Sequence, residues 1–197
     1  MPTEPNRLFF ALWPSDAVRG QCAAAARLLK ARNQAGGHLI KPERLHLTLL
    51  FLGDAVPPKQ EAAALAAAGE VSGAPFTLKL DMAASFRNPG HIPWWLGPHA
   101  RVPELQGFYE ELRGTLRTNG VSYDRGHFSP HLTVLRDAQR PLPATPIEPI
   151  AWKVSEFVLI RSLLNVHPPD YQVVGRWPLT TKATAKKPSA QMSLWEN

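Results

Sequence analysis

The sequence predicts an α+β fold of two lobes: two antiparallel sheets with flanking helices, related by pseudo-two-fold symmetry around a central cleft. Three observations carry that expectation. Strand-patterned segments alternate with amphipathic helical ones, and some strands are joined by short turns. Twenty prolines in 197 residues interrupt the chain too often for a helical bundle. A short pattern of histidine, apolar residue, threonine and apolar residue occurs twice, at His46-Leu47-Thr48-Leu49 and His131-Leu132-Thr133-Val134, each after a predicted helix.

The elements follow in order. Arg7 to Trp13 (RLFFALW) is an apolar, aromatic run bounded by Asn6 and Pro14, as in a buried strand. Ser15 stands at a helix N-cap position with Asp16 in the first turn. Val18, Cys22, Ala25 and Leu29 then recur at helical spacing, and Gly36-Gly37 ends the unit. Cys22 falls on the apolar face and reads as core rather than as a nucleophile. Leu45 to Leu52 is a strand whose polar residues, His46 and Thr48, share one face; Gly53 stops it. Pro57-Pro58 opens an alanine-rich helix through about Gly69.

Phe76, Leu78, Leu80 and Met82 alternate as in a half-buried strand. Asn88-Pro89-Gly90 reads as a turn into a second strand, Ile92 to Leu96, with Trp94-Trp95 expected in the core. Pro103 to Asn119 carries Leu105, Phe108, Tyr109, Leu112 and Leu116 on one helical face, ended by Asn119-Gly120. His131 to Leu135 is a strand. A proline-rich loop is expected at 141–149, followed by strands Trp152 to Ile160 and Tyr171 to Trp177. Residues 1–179 are thus expected to form the bilobal domain, and 180–197 a polar, disordered tail.

Composition narrows the function classes. With 44% hydrophobic and 19% charged residues, wholesale disorder is excluded. No apolar run reaches the length of a transmembrane helix, and the first residues lack the pattern of a secretory signal, so no membrane partner is expected. A single cysteine forbids an internal disulfide, and a monomer in a reducing cytoplasm is the expected setting. A formal net charge of +6 suits an anionic partner such as RNA.

The paired motifs carry the chemistry. On a strand, residues two apart share a face, so His46 points with Thr48 and His131 with Thr133. Faced across a cleft, they supply two imidazoles and two hydroxyls to one small volume. An imidazole titrates near neutrality, so one can take a proton while another gives one. Hydroxyls can bond non-bridging phosphate oxygens, and an arginine can bind two of them at once. Arg136 is the candidate arginine, yet strict alternation puts position 136 on the opposite face from His131. It reaches the cleft only if the strand bulges or ends there. The corresponding position after His46 is Phe51. His127 and His131 are four apart, but Pro130 lies between them and no glutamate follows His127, so a zinc motif is rejected; neither a metal nor a cofactor is expected.

This duplicated pattern resembles the two-histidine (2H) phosphoesterase superfamily, and in detail its RNA 2′,3′-cyclic phosphodiesterase branch, also called 2′-5′ RNA ligase-like. The matching residues are Arg7-Leu8-Phe9-Phe10-Ala11, both motifs with Phe51-Leu52-Gly53 and Arg136, Trp95-Leu96-Gly97, Glu156-Phe157-Val158-Leu159 and Tyr171, which span about residues 7–178. Leu135 stands where the family commonly has a small residue. The resemblance implies metal-independent hydrolysis of RNA 2′,3′-cyclic phosphate ends to 2′-phosphates. It implies His46 as proton donor to the 3′-oxygen, His131 as proton acceptor, and Thr48, Thr133 and Arg136 on the phosphate. Two alternatives stand beside it: 2′-5′ ligation or 2′-5′ phosphodiester cleavage by the same site, and a module that binds phosphorylated RNA ends without turnover. Arg136 is also expected to lower the pKa of His131 while leaving His46 unaffected.

Overall fold

A computed structural model describes residues 6–86, 91–163 and 170–180. The expected Asn88-Pro89-Gly90 turn and the tail from 181 onward lie outside the described residues. The elements are β1 Asn6–Leu12, α1 Asp16–Asn33, β2 His38–Leu39, β3 Leu47–Gly53, α2 Pro58–Ala68, β4 Phe76–Ser85, β5 Ile92–Gly97, α3 Pro103–Thr118, β6 Leu132–Ala138, β7 Thr145–Val154, β8 Glu156–Leu163 and β9 Asp170–Pro178. The class is α+β, with a large antiparallel sheet and three helices among the described residues.

The two separate sheets expected from sequence are in fact one. Strand order is β7-β4-β5-β6-β3-β1-β8-β9, with β2 paired on β6. Among the described residues, its two halves, of five strands and four, meet only where β3 and β6 share the pair Leu47–Leu132. Both leucines immediately follow the motif histidines. The strands touch at their first residues and, being antiparallel, run apart from there. In each half the motif strand lies beside the strand that precedes its helix: β3 beside β1, and β6 beside β5.

Local chemistry accounts for most boundaries. The Ser15 hydroxyl accepts a hydrogen bond from the Val18 N–H at 3.4 Å and caps α1. That helix stops at Asn33 because Gln34 adopts the left-handed conformation, before the glycine pair is reached. Pro58 and Pro103 take the first positions of α2 and α3, where no backbone donor is needed. Cys22 is fully buried, and burial pushes its thiol up to about 12, so the core reading of this residue holds.

Three segments depart from the sequence expectation. The proline-rich stretch at 141–149 contains the start of β7, which accommodates Pro146 and Pro149 because it is an edge strand. The run Trp152 to Ile160 is two strands that separate at Ser155, where the chain crosses from one half of the sheet to the other. An unbroken apolar pattern hid that crossing. In β4 the alternation breaks at a register shift between Leu80 and Met82, so Asp81 is buried and Met82 only partly so.

β1 shows how the sheet separates core from cleft. Leu8, Phe10 and Leu12 enter the main core, where residues of all three helices pack. Phe9 and Ala11 point the other way and form a smaller cluster with Val158 and Ile160, against which Trp13, Phe51 and Tyr171 pack. Trp94-Trp95 divides likewise: Trp94 is core, with its indole N–H donating to the Arg140 carbonyl, while Trp95 is half-buried on the opposite face beside Phe86. The expectation that both tryptophans are core fails because side chains alternate along a strand.

Leu47 and Leu132 are fully buried at the junction of the halves. Replacing either by alanine is expected to cost about 3 kcal/mol in urea unfolding. The double variant should lose less than the sum, since the two buried residues are direct cross-strand partners.

Candidate active site

The two motif strands carry matching irregularities. Between β1 and β3, Phe10 pairs with Leu50 and Ala11 with Thr48, leaving Leu49 as an extra residue. Between β5 and β6, Trp94 pairs with Leu135 and Trp95 with Thr133, leaving Val134 extra. Each bulge shifts the alternation by one. Leu49 and Leu50 are therefore both buried, as are Val134 and Leu135, and the next residue returns to the face of the histidine. Arg136 thus joins His131 and Thr133 in the cleft, as the sequence required of it. In the first half that return places Phe51, which packs into the cluster around Phe9.

The structure brings all five expected site residues together. His46, Thr48, His131, Thr133 and Arg136 line a cleft of about 200 Å³, with Ile40, Arg44 and Tyr171 completing it. The last three were not expected as site residues, although Tyr171 belongs to the matching pattern. Arg44 ends a 3-10 turn, Pro42–Arg44, that delivers the chain into the first motif. Its guanidinium lies over the Tyr171 ring at 4.6 Å, and its buried Nε has no hydrogen-bond partner among the described residues. A basic residue two positions before His46 was the available signal.

Both imidazoles are held the same way. His46 Nδ1 donates to the Arg44 carbonyl at 2.8 Å, and His131 Nδ1 donates to the Ser129 carbonyl at 2.7 Å. A carbonyl can only accept, so Nδ1 carries the proton in each ring and Nε2 is left for chemistry. The surroundings differ. His46 lies among Phe9 at 5.0 Å, Tyr171 at 5.4 Å and Trp13 at 6.2 Å between ring centroids. Trp13 is itself covered by the Arg19 guanidinium, 4.4 Å from its ring. His131 packs against Phe86 in a T-shaped pair, with ring centroids 4.8 Å apart.

These surroundings set the electrostatics. Burial pushes His46 down to about 4, against the pull of its carbonyl partner, with Arg136, His131 and Arg44 adding to the fall. His131 is also lowered, by burial, while its bond to Ser129 works the other way. The expectation that Arg136 would depress His131 and spare His46 is therefore reversed. Arg136 acts on His46 because both line the same cleft. Both imidazoles are neutral at pH 7 in a cleft that also holds two guanidiniums, an arrangement that favours an anionic ligand. Among the described residues, no three His, Cys, Asp or Glu side chains are grouped as metal ligands.

A sheet whose central strands present paired histidines and threonines, with an arginine one bulge away, defines a two-histidine phosphoesterase site. The family profile described as the 2′-5′ RNA ligase superfamily matches residues 14–165, and the chain belongs to that family. An RNA 2′,3′-cyclic phosphodiesterase of Escherichia coli is 32% identical over 90% of this chain and 99% of its own length. One from Thermus thermophilus is 32% identical over 88% of this chain and 90% of its own. The apo crystal structure of E. coli LigT superposes with a TM-score of 0.74 at 31% identity, covering 91% of this chain and all of LigT.

Acid should weaken the fold through His46. Its folded pKa is depressed, so its neutral form contributes fully above pH 6.5, and that contribution is lost as pH falls toward about 4. Urea titrations of wild type and His46→Gln should differ by about 2–3 kcal/mol less at pH 4 than at pH 7. A gap independent of pH would contradict the depressed imidazole.

Proposed function

We propose that this protein hydrolyses the 2′,3′-cyclic phosphate end of RNA to a 2′-phosphate and a free 3′-hydroxyl, using its own side chains as acid and base. The observation that carries the reading is the pair of imidazoles, each fixed through Nδ1 so that Nε2 is left for chemistry, in one cleft with two threonines and an arginine. Relatives at 32% identity over most of the chain are named RNA 2′,3′-cyclic phosphodiesterase, and E. coli LigT has been crystallised with 3′-AMP and with phosphate. In this reading the two halves of the sheet are pseudo-two-fold lobes, and the protein is a monomer of the reducing cytoplasm.

In the reaction, water attacks phosphorus and gives a proton to His131 Nε2. The bond from phosphorus to the 3′-oxygen breaks, and His46 Nε2 protonates that oxygen as it leaves. In-line displacement needs the two groups on opposite sides of phosphorus, which suits one histidine per motif strand. Thr48 and Thr133 donate hydroxyl hydrogen bonds to the non-bridging oxygens, and Arg136 neutralises the charge they develop. A strongly depressed imidazole is a potent acid when protonated but rarely protonated in the free protein. The bound phosphodiester anion offsets the charges of Arg136 and Arg44 and repopulates the imidazolium. The role of each histidine thus rests on the family resemblance and on substrate-induced protonation, rather than on Arg136 acting upon His131.

The name of the matched family favours one related reading. An RNA hydroxyl in place of water would form a 2′-5′ linkage at the same site, and the reverse reaction would cleave one, with acid and base exchanging roles. Incubation with a hydroxyl-ended acceptor and a search for joined product separates the two.

The direct test is a defined oligonucleotide with a 2′,3′-cyclic phosphate, incubated with chelator. A 2′-phosphate product is expected; binding without turnover would instead make the cleft a module for phosphorylated ends. With a nitrophenyl phosphodiester, whose leaving group needs no proton, His46→Ala should lose much less activity than His131→Ala. Equal losses or the reverse order would overturn the assignment of roles.

The pH profile tests the electrostatics. The active pair holds one proton, and both pKa values lie below the ordinary 6.5 in the free protein. The maximum of kcat/KM should therefore lie below pH 6.5, with a fall approaching about tenfold per pH unit on the alkaline side. The kcat profile, which reports the complex, should be displaced to higher pH.

A further inference from the structure

Arg136 reaches the cleft on a backbone that its neighbour must hold. Asp137 has φ of 54°, a left-handed conformation that is unfavourable for residues other than glycine, though aspartate tolerates it better than most. Its carboxylate lies between two imidazoles from opposite sides of β6. His91, just before β5, donates from Nδ1 to Oδ1 at 2.8 Å. His38, in β2, places Nδ1 3.9 Å from Oδ2. The His91 N–H holds the Asp137 carboxyl below its usual range, so it is ionised at neutral pH.

The backbone behind this turn is fitted to it. Gly37, with φ of 64°, lies so close that a Cβ there would stand 2.3 Å from the Arg136 carbonyl oxygen and 2.8 Å from that of Asp137. Lys30 Nζ donates to the Gly37 carbonyl at 2.9 Å, and the Gln139 N–H donates to the Ala35 carbonyl at 2.7 Å. β5 pairs Ile92 with Ala138 and Trp94 with Leu135, so a single residue, Pro93, spans Arg136 and Asp137. Proline has no N–H to offer the ladder, and the turn at Asp137 is fixed instead by its own side chain and by the glycine seat.

We infer that Asp137 is a positioning residue for Arg136: clasped between His91 and His38, its carboxylate holds the left-handed turn that keeps the Arg136 guanidinium in the cleft. The alternative backbone is near at hand. A slip of one residue in β6 would return position 136 to the alternation of an unbulged strand and to the opposite face. The clasp is open to solvent, with both imidazoles about 85% exposed, so it adds little to global stability. Its effect lies in where Arg136 stands. This inference rests on the phosphate-binding role proposed for Arg136.

Calorimetric binding of adenosine 2′-monophosphate to wild type, Asp137→Ala, Arg136→Ala and the double variant tests it, with thermal unfolding of each. Asp137→Ala should weaken binding about tenfold, while the double variant binds no worse than Arg136→Ala alone. The melting temperature should change little. Asp137→Gly, which frees the backbone to adopt positive φ but removes the carboxylate, should also fold and lose affinity; it serves if Asp137→Ala does not fold. Asp137→Asn, which keeps an acceptor for His91, should fall between them and wild type. Wild-type affinity in the glycine variant, or losses that add in the double variant, would overturn the inference. Wild-type protein that neither binds the monophosphate nor turns over the cyclic phosphate would overturn the functional reading of the cleft, and the role of Asp137 with it.

Discussion

The pairing of Leu47 with Leu132 is the contact on which the site depends. Among the described residues it is the one backbone register pair between the two motif strands, and each member is preceded by a motif histidine. A longer ladder between β3 and β6 would bring their facing side chains into cross-strand contact and fill the cleft between them. No pairing at all would leave the spacing of the histidines to the helices. A single buried pair fixes the origin of both strands, and their antiparallel course separates everything beyond it.

Electrostatics follow from the same geometry. Two imidazoles and two guanidiniums share a cleft whose rear is aromatic. Burial favours the neutral imidazole, and the guanidiniums reinforce that on His46. The two rings therefore favour their neutral forms rather than adding positive charge to an already cationic space. An anion changes the balance, because it stabilises the protonated ring more than the neutral one. In the proposed reaction, proton inventory and ligand binding are thus coupled, and the cleft acquires its acid when it acquires its phosphate.

Much of this was legible in the sequence because the relevant signals are local. Ser15, Pro58 and Pro103 mark helix starts through capping and missing donors, and two histidine-threonine pairs mark strand faces through a period of two. What stayed hidden depends on register. The joining of the sheets by one leucine pair, the crossing at Ser155 and the strand within the proline-rich segment are decided by which strand lies alongside, a fact no local window contains. Arg44 escaped for a related reason: it sits before the motif, and only the 3-10 turn and Tyr171 from the far end of the chain bring it to the cleft.

The bulges explain how a repeated motif yields an asymmetric site. Both strands insert an extra residue after the threonine, so both present the fifth position after the histidine to the cleft face. One half places Arg136 there and the other Phe51. Phe51 joins Phe9, Val158 and Ile160 in an apolar cluster that Tyr171 packs against, and Phe9 and Tyr171 in turn lie against His46. The same backbone device thus delivers a cation to the cleft on one side and supports the dry wall behind an imidazole on the other. The hydrolysis by acid and base proposed above needs unlike partners on the two sides of phosphorus, and one difference in residue at matching bulges supplies it without disturbing the frame that holds both histidines.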